Sequence, residues 1–149
     1  MGDKVKYYPL IVGGVERSYP NVHAGAGKYA AAMVVGNLVF LSGMTAESEE
    51  DGSCVAATIE EQVTICLDRV RLHLEKVGSK LENVVKDLII LKDIEHYQRM
   101  RATELAYYQK HAPRLVSEPP ASTIFQPATL GRPEFLVEWE VVAVLDREA

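Results

Sequence analysis

The chain has 149 residues, a length typical of one domain, and we expect residues 1–149 to form a single domain. Hydrophobic residues make up 48% of it and charged residues 25%, which is the composition of a globular protein and not of a disordered one. A net charge of -5 without a basic run argues against a nucleic-acid partner, and the longest apolar run is far below the roughly 20 residues of a membrane span.

Cysteine and histidine usage predicts neither a disulfide framework nor a metal site. Cys54 lies in a polar stretch, Cys66 lies in an apolar helical pattern, and no Cys-x-x-Cys motif or zinc-like Cys/His spacing is present. The histidines are scattered along the chain. We therefore expect no bound metal and a reducing, cytoplasmic location.

The first predicted elements are three strands. Residues 4–12 form a weak strand candidate. Residues 29–35 and 38–42 are apolar runs separated only by Gly36 and Asn37, and glycine adopts a positive φ at no steric cost. This arrangement predicts a β-hairpin.

A helix is predicted over residues 58–77, where apolar residues recur at spacings of three and four. Thr58 and Glu61 have the spacing of a capping box at its beginning. Gly78 suits the position just after its end, where many helices need a residue with positive φ.

The next segment, residues 84–91, is apolar at nearly every position and predicts a strand that is buried on both faces. Asp93 can then cap a second helix over residues 94–111. Pro113 ends this helix, because proline lacks the N–H that a helix interior needs.

Two strands complete the chain, a short one over residues 122–126 and a long one over 135–145. The order β-β-β-α-β-α-β-β predicts an α+β sheet with two helices. Two helices cover only one face of such a sheet, yet residues 84–91 and much of 38–41 are apolar on both faces. The simplest cover for the second face is another copy of the chain, so we expect a homo-oligomer.

No strong catalytic motif is present, but Glu138 and Glu140 share one face of the last predicted strand. Two interpretations are open. Either the face is solvated and both are ordinary surface groups, or it lines a cleft between subunits in which one carboxylate orients a water molecule or takes a proton. The second role needs a perturbed pKa, which partial burial in a cleft supplies.

Six short runs are informative through their order and spacing. They are Gly-Lys-Tyr-Ala at 27–30, Val-Gly-Asn-Leu-Val-Phe-Leu-Ser-Gly at 35–43, Glu-Gln at 61–62, Leu-Glu-Asn-Val-Val-Lys at 81–86, Leu-Lys-Asp at 91–93 and Val-Glu-Trp-Glu-Val-Val-Ala at 137–143. Together they resemble the reactive-intermediate imine/enamine deaminase family, also called Rid or YjgF.

The resemblance implies a chorismate-mutase-like α+β fold and a homotrimer. The sheets of such a trimer form a central barrel, the helices lie outside, and the ligand clefts lie between subunits. The implied activity is hydrolysis of a small imine or enamine, such as 2-aminoacrylate, to a keto acid and ammonia, without a metal or an organic cofactor. The implied partners are further copies of the chain and a small metabolite, with no nucleic acid and no membrane.

Residue by residue, the resemblance implies a cleft tyrosine at Tyr29 and a Ser-Gly pair at Ser42 and Gly43. It implies a glutamate that positions water at Glu138. Met44 stands where the family usually has a glutamine.

The position of the family's carboxylate-binding arginine carries Ser122, within Pro-Ala-Ser-Thr at 120–123. A guanidinium offers a fork of donors to a carboxylate, whereas a serine offers one uncharged hydroxyl. Losing two charge-assisted hydrogen bonds of about 1.5–3 kcal/mol each weakens carboxylate binding about 100-fold or more. We therefore expect a substrate other than 2-aminoacrylate.

Arg101 occupies the place of the family's helix asparagine. It is either a solvated surface cation, or a residue that reaches the cleft and supplies the missing positive charge from another wall. Arg132, in the loop before the last strand, is a weaker candidate for the same task.

We predict deamination of a small imine or enamine, or hydrolysis of a related C–N bond, with Glu138 and Ser122 as catalytic residues. The predicted substrate-binding residues are Tyr29, Ser42, Gly43, Arg101 and Thr123. The alternatives are a non-catalytic trimer that binds a small metabolite in the same cleft, and a purely structural assembly.

Overall fold

The structure, a computed structural model, describes residues 5–12, 15–16, 29–48 and 50–146. Its strands are β1 (Val5–Pro9), β2 (Ile11–Val12), β3 (Val15–Glu16), β4 (Ala30–Val35), β5 (Leu38–Leu41), β6 (Val84–Leu91), β7 (Ala121–Phe125) and β8 (Val137–Val144). Its helices are α1 (Ile59–Lys76), α2 (Tyr97–His111) and the short α3 (Arg114–Ser117). Short 3-10 turns at Leu81–Asn83 and Ile94–His96 precede β6 and α2.

One six-stranded sheet organises these elements, in the order β1-β4-β5-β8-β6-β7. Neighbouring strands are antiparallel except β6 and β7, which are parallel and are connected through α2 and α3. Strands β2 and β3 form a separate two-stranded hairpin. The predicted α+β class, a sheet with helices, is confirmed.

Some predicted boundaries are wrong. The predicted first strand, residues 4–12, begins outside the described residues and is interrupted at Leu10, because its pairing with β4 shifts at Pro9, which has no N–H to donate. The last strand begins at Val137 and not at Phe135, because the Phe135 N–H donates to a turn carbonyl. Helix α3 was not predicted.

The predicted local signals at turns and helix ends are confirmed. The Thr58 hydroxyl accepts a hydrogen bond from the Glu61 N–H at 3.2 Å, and the Glu61 carboxylate accepts one from the Thr58 N–H at 3.2 Å. Gly78 follows α1 with φ +85°, and Gly36 has φ +60° in the turn between β4 and β5. In the described part of the chain, no helix combines the length and the apolar character needed to cross a membrane.

One face of the sheet, which we call the helix face, packs against α1, and α2 packs beside α1. The core between them fully buries Val39, Ile89 and Trp139 and includes Met100 and Tyr108 from α2. Burial of one large apolar side chain contributes about 1.5–3 kcal/mol. This core therefore fixes both long helices on the same face of the sheet.

The opposite face, which we call the open face, is covered by no helix of the described residues. Its side chains include Val35, Leu38, Phe40 and Phe125, which are 40–44% exposed. Contiguous exposed apolar side chains of this kind mark interaction surfaces in soluble proteins.

The single chain buries β6 fully on one face only, and burial of its second face by another copy stays a prediction. Asp87, Ile89 and Leu91 are buried on the helix face, whereas Leu88 and Ile90 are only half-buried on the open face. The physical reason is that both long helices lie on one side of the sheet. What covers the open face stays a prediction.

The turn after α1 gives a test of local conformation. A Cβ at Gly78 would meet no atom within 4 Å, so Gly78→Ala introduces no clash and leaves only the strain of a left-handed backbone. We expect it to lower the free energy of unfolding by about 1–2 kcal/mol. Gly131→Ala is the matched control, since Gly131 is equally uncrowded and has no positive φ. Urea denaturation that gives both variants the same stability would contradict this.

Candidate functional site

The predicted site residues fall on opposite faces of the sheet in one protomer. Glu138 of β8 is paired with Ile90, and both belong to the open face. Ser122 of β7 is paired with Asp87, whose side chain is buried on the helix face. Because successive residues of a strand point to opposite faces, Ser122 and Glu138 do not share a cleft within a single chain.

Gly43 leaves the space that the Glu138 side chain occupies. A Cβ atom at residue 43 would fall directly on the Glu138 carboxylate. The backbone there cannot withdraw easily, because Met44 and Trp139 exchange two backbone hydrogen bonds of 2.8 and 2.9 Å. The Ser42 hydroxyl donates to a carbonyl of β4 at 2.6 Å. Glycine is therefore needed at residue 43 for room and not for its φ.

The Glu138 carboxyl is a weaker acid than an ordinary glutamate. Its burial raises its pKa, and the negative charges of Glu140 and Glu47 raise it further. Glu138 is half-buried, whereas Glu140 is exposed. Glu140 therefore has the exposure of an ordinary surface group. Glu138 has the partial burial and the raised pKa that a role in a cleft requires.

Arg101 reaches Ser122, but its charge is already paired. One guanidinium nitrogen, Nη2, donates to the Ser122 hydroxyl at 3.1 Å. The other, Nη1, donates to the two carboxylate oxygens of Glu104 at 3.0 and 2.7 Å. The guanidinium also lies 5.5 Å from the centre of the Tyr97 ring. Arg101 is therefore not a solvated surface cation, and its charge is already paired with Glu104.

Asp87 is the residue that the sequence reasoning missed. It is 1% exposed, and neither of its carboxylate oxygens has a hydrogen-bond partner among the described residues. It lines a pocket of about 270 Å³, which we call the Asp87 pocket, whose other polar side chains are Arg101, Glu104, Tyr108 and Ser122. The available signal was a carboxylate inside the mostly apolar run of β6, where Lys86 is the other charged residue.

Burial dominates the electrostatics of the Asp87 pocket. It raises the pKa of Asp87 to about 6, against a smaller lowering effect of Ser122, and the charge of Glu104 adds to the rise. Arg101 and Lys86 lower the same pKa only slightly. Burial also raises the pKa of Glu104, against the lowering effect of Arg101. The pocket thus holds one carboxylate that lacks a counter-ion.

The remaining candidates occupy other positions. Thr123 lies on the open face, where its hydroxyl accepts a hydrogen bond from Lys86 Nζ at 3.0 Å. Tyr29 is half-buried at the residue before β4. Arg132 is exposed in the loop before β8, where its charge contributes to lowering the pKa of Asp51. Arg132 therefore brings no charge to Ser122 in one protomer.

Within the ranges that the structure describes, no three His, Cys, Asp or Glu side chains come together in a way that could hold a metal ion.

Comparison with known proteins gives consistent relatives. A family model described as Endoribonuclease L-PSP matches residues 21–145. A RutC family protein of Pyrococcus abyssi is 31% identical over 91 residues, which are 61% of this chain and 72% of that protein. The 2-iminobutanoate/2-iminopropanoate deaminase of Escherichia coli is 27% identical over 124 residues, which are 83% of this chain and 92% of that protein.

Solved structures agree with the sequence relatives. A member of the YjgF protein family from Neisseria meningitidis has a TM-score of 0.70 with this chain, at 28% sequence identity. The match covers 97% of each chain. The six-stranded sheet with its helices is therefore an architecture that this solved relative shares.

The raised pKa of Asp87 has a consequence for stability. The pKa of about 6 in the folded protein exceeds the 3.8 of an ordinary aspartate, so the folded protein binds a proton more readily than the unfolded chain. Stability is therefore gained as the pH falls through 6, and the gain is complete near 3.8. The full gain corresponds to roughly 3 kcal/mol.

We expect Asp87→Asn to be more stable than the wild type at pH 8, because the variant has no charge to bury at this position. The advantage should shrink as the pH falls from 7 to 4. Urea denaturation of both proteins at one protein concentration measures it. An advantage that does not change with pH would show that Asp87 is not the titrating group.

Proposed function

Because this chain belongs to the Endoribonuclease L-PSP family, which includes relatives named 2-iminobutanoate/2-iminopropanoate deaminase, we propose that it hydrolyses a small imine or enamine. The observation that carries the proposal is the Glu138 carboxylate, half-buried against Gly43 on the open face. Its raised pKa lies nearer to neutral pH than that of an ordinary glutamate, which suits a group that exchanges protons during a reaction.

The proposed reaction needs one carboxylate and one water molecule. Ionised Glu138 accepts a proton from water as the water oxygen bonds to the imine carbon, and the electron pair of the C=N double bond moves to nitrogen. Glu138 passes this proton to the nitrogen, and the resulting carbinolamine has a hydroxyl and an amine on the same carbon. The Glu138 carboxylate then takes the hydroxyl proton and passes it to the amine, the oxygen electron pair forms the C=O double bond as the C–N bond breaks, and ammonia and a carbonyl compound leave.

We place this reaction in a cleft between the subunits of a homotrimer. The open face supports this, because apolar side chains that include Phe40 and Leu38 stay exposed on it in a single chain. A second copy packed against this face would exclude water from these apolar side chains and would enclose Glu138 in a cleft. Tyr29, Ser42 and Thr123 are the proposed substrate contacts at its margins.

The substrate is proposed to differ from 2-aminoacrylate. Ser122, at the place of the expected arginine, has no charge, and the nearby Arg101 is paired with Glu104. The guanidinium that contacts Ser122 thus already has a carboxylate partner, which disfavours a two-point ion pair with a substrate carboxylate.

The uncharged Ser122 at the place of the expected arginine also favours a second candidate function, a trimer that binds a small metabolite without turning it over. RNA is not the proposed ligand, although the family description names an endoribonuclease. The net charge of -5 works against the phosphate contacts that dominate RNA affinity.

The role of Glu138 is tested by adding the purified protein to a lyase or oxidase that releases imines from several amino acids, and by following the loss of imine. We expect the wild type to accelerate the loss and Glu138→Gln to lower the rate by about 100-fold or more. Gly43→Ala should also lower it, because the added methyl group displaces the Glu138 side chain. Full activity of Glu138→Gln would refute the assignment, and no acceleration by the wild type would favour the binding function.

The pH profile separates a proton-transfer role from a structural one. Glu138 acts when ionised, so the rate falls as the pH drops through its raised pKa. Glu140→Gln removes a neighbouring negative charge, which lowers the pKa of Glu138 and moves the fall in rate to lower pH. Glu140→Gln should keep most of its activity at pH 8. An unmoved profile would contradict the role of Glu138.

The subunit arrangement is tested by light scattering coupled to gel filtration. We expect the wild type to have the mass of a trimer and Phe40→Glu to have the mass of a monomer, because the substitution buries a charge in the proposed interface. Leu72→Glu is the matched control, since Leu72 is 46% exposed on α1 and not on the open face. A monomeric wild type, or a trimeric Phe40→Glu variant, would refute the arrangement.

A further inference from the structure

We propose that the Asp87 pocket binds a small aliphatic amine in its ammonium form, with the Asp87 carboxylate accepting hydrogen bonds from the ammonium group. This inference goes beyond the proposed function, because it concerns the helix face of the sheet and requires no turnover. Three features of the pocket carry it.

The first feature is the Asp87 carboxylate, whose two oxygens can accept hydrogen bonds that no described residue donates at normal geometry. Its side chain is buried and lines the pocket, and the Ser122 hydroxyl is the donor that acts on its pKa. Burying a carboxylate without donors is costly, so such a group in a pocket marks a place where a ligand supplies the donors. An ammonium group supplies three N–H donors and a compensating charge.

The second feature is the charge balance around Asp87. Arg101 is the cationic side chain that lines the pocket, and its Nη1 donates to both carboxylate oxygens of Glu104. That pair is neutral as a unit, which leaves the charge of Asp87 uncompensated. The Lys86 ammonium donates to its neighbours elsewhere, to the Asp87 backbone carbonyl at 2.9 Å and to Thr123. The pocket therefore attracts a cation and repels an anion.

The third feature is the apolar part of the wall. Leu105 and Val116 line the pocket and are 46% and 40% exposed, and Leu115 and two prolines complete this side. An aliphatic chain on the amine would cover these side chains while its nitrogen contacts Asp87. The volume of about 270 Å³ is smaller than a pocket for a drug-sized molecule, so the ligand is a short-chain amine.

The polar groups also exclude other ligand classes. A carboxylate or phosphate ligand would place a second negative charge beside Asp87 and Glu104. A divalent metal ion needs more oxygen or nitrogen ligands than these two carboxylates, and the described residues offer no group of three. A neutral alcohol brings only one donor and no charge.

The proposal is tested by calorimetric titration of the wild type at pH 8 with isobutylammonium chloride. Isobutanol and sodium isobutyrate are the control ligands, because they have the carbon skeleton of isobutylammonium but carry a neutral hydroxyl and an anionic carboxylate in place of the ammonium group. We expect saturable binding of isobutylammonium alone. Equal binding of isobutanol, or no binding of isobutylammonium, would overturn the proposal.

Variants then locate the site. Asp87→Asn should weaken isobutylammonium binding about 10- to 100-fold, as expected for the loss of charge-assisted hydrogen bonds. Asp51→Asn, which removes the same charge from an exposed loop, is the matched control and should bind as the wild type does. Unchanged binding by Asp87→Asn, or equal weakening by Asp51→Asn, would refute the assignment.

A second variant keeps Asp87 intact. Glu104→Gln releases the Arg101 guanidinium inside the same pocket, where it can pair with Asp87 and compete with the ligand. We expect weaker isobutylammonium binding in this variant, with a circular dichroism spectrum like that of the wild type. Tighter or unchanged binding would contradict the proposed charge balance. These titrations stand apart from the imine assay, so either proposal can fail while the other holds.

Discussion

Two long helices cover one face of a six-stranded sheet, and this packing constraint determines on which face each candidate site residue of the sheet lies. Helix α1 packs against the sheet and α2 packs beside it, so the apolar residues of the helix face form the core. The open face has no such cover and keeps Phe40 and Leu38 exposed. One sheet thus has two environments, a closed one built within the chain and an open one that is suited to another surface.

Each environment contains a carboxylate whose pKa is raised mainly by burial and which no salt bridge within the described residues neutralises. Glu138 lies on the open face beside Gly43, where Glu140 and Glu47 add to the effect. Asp87 lies on the helix face, next to the paired charges of Arg101 and Glu104. The same physical cause therefore produces two different sites. Glu138 faces a surface where a substrate and water can approach, and Asp87 faces a small pocket that lacks a cation.

Much of the fold could be predicted from local signals. The capping box of Thr58 and Glu61 satisfies backbone donors within one turn, and Gly36 supplies the positive φ of a two-residue turn. Such signals depend on neighbours in the sequence, so they predicted where α1 and the hairpin begin and end. The break before β2 and the start of β8 were missed, because they depend on the pairing of strands that are distant in the chain.

The candidate site was less predictable than the fold. The sequence alone determined the α+β order, the family resemblance, and the presence of Glu138 and of a Ser-Gly pair in the family pattern, whereas the contact of Glu138 with Gly43 came from the tertiary structure. Only the tertiary structure decided that Ser122 lies opposite Asp87, 35 residues earlier in the chain, and that Arg101 gives its charge to Glu104. The physical reason is that an alternating pattern shows which residues share a face of one strand. The register between strands decides which side chains meet across the sheet, and that register is set by the packing of the whole core.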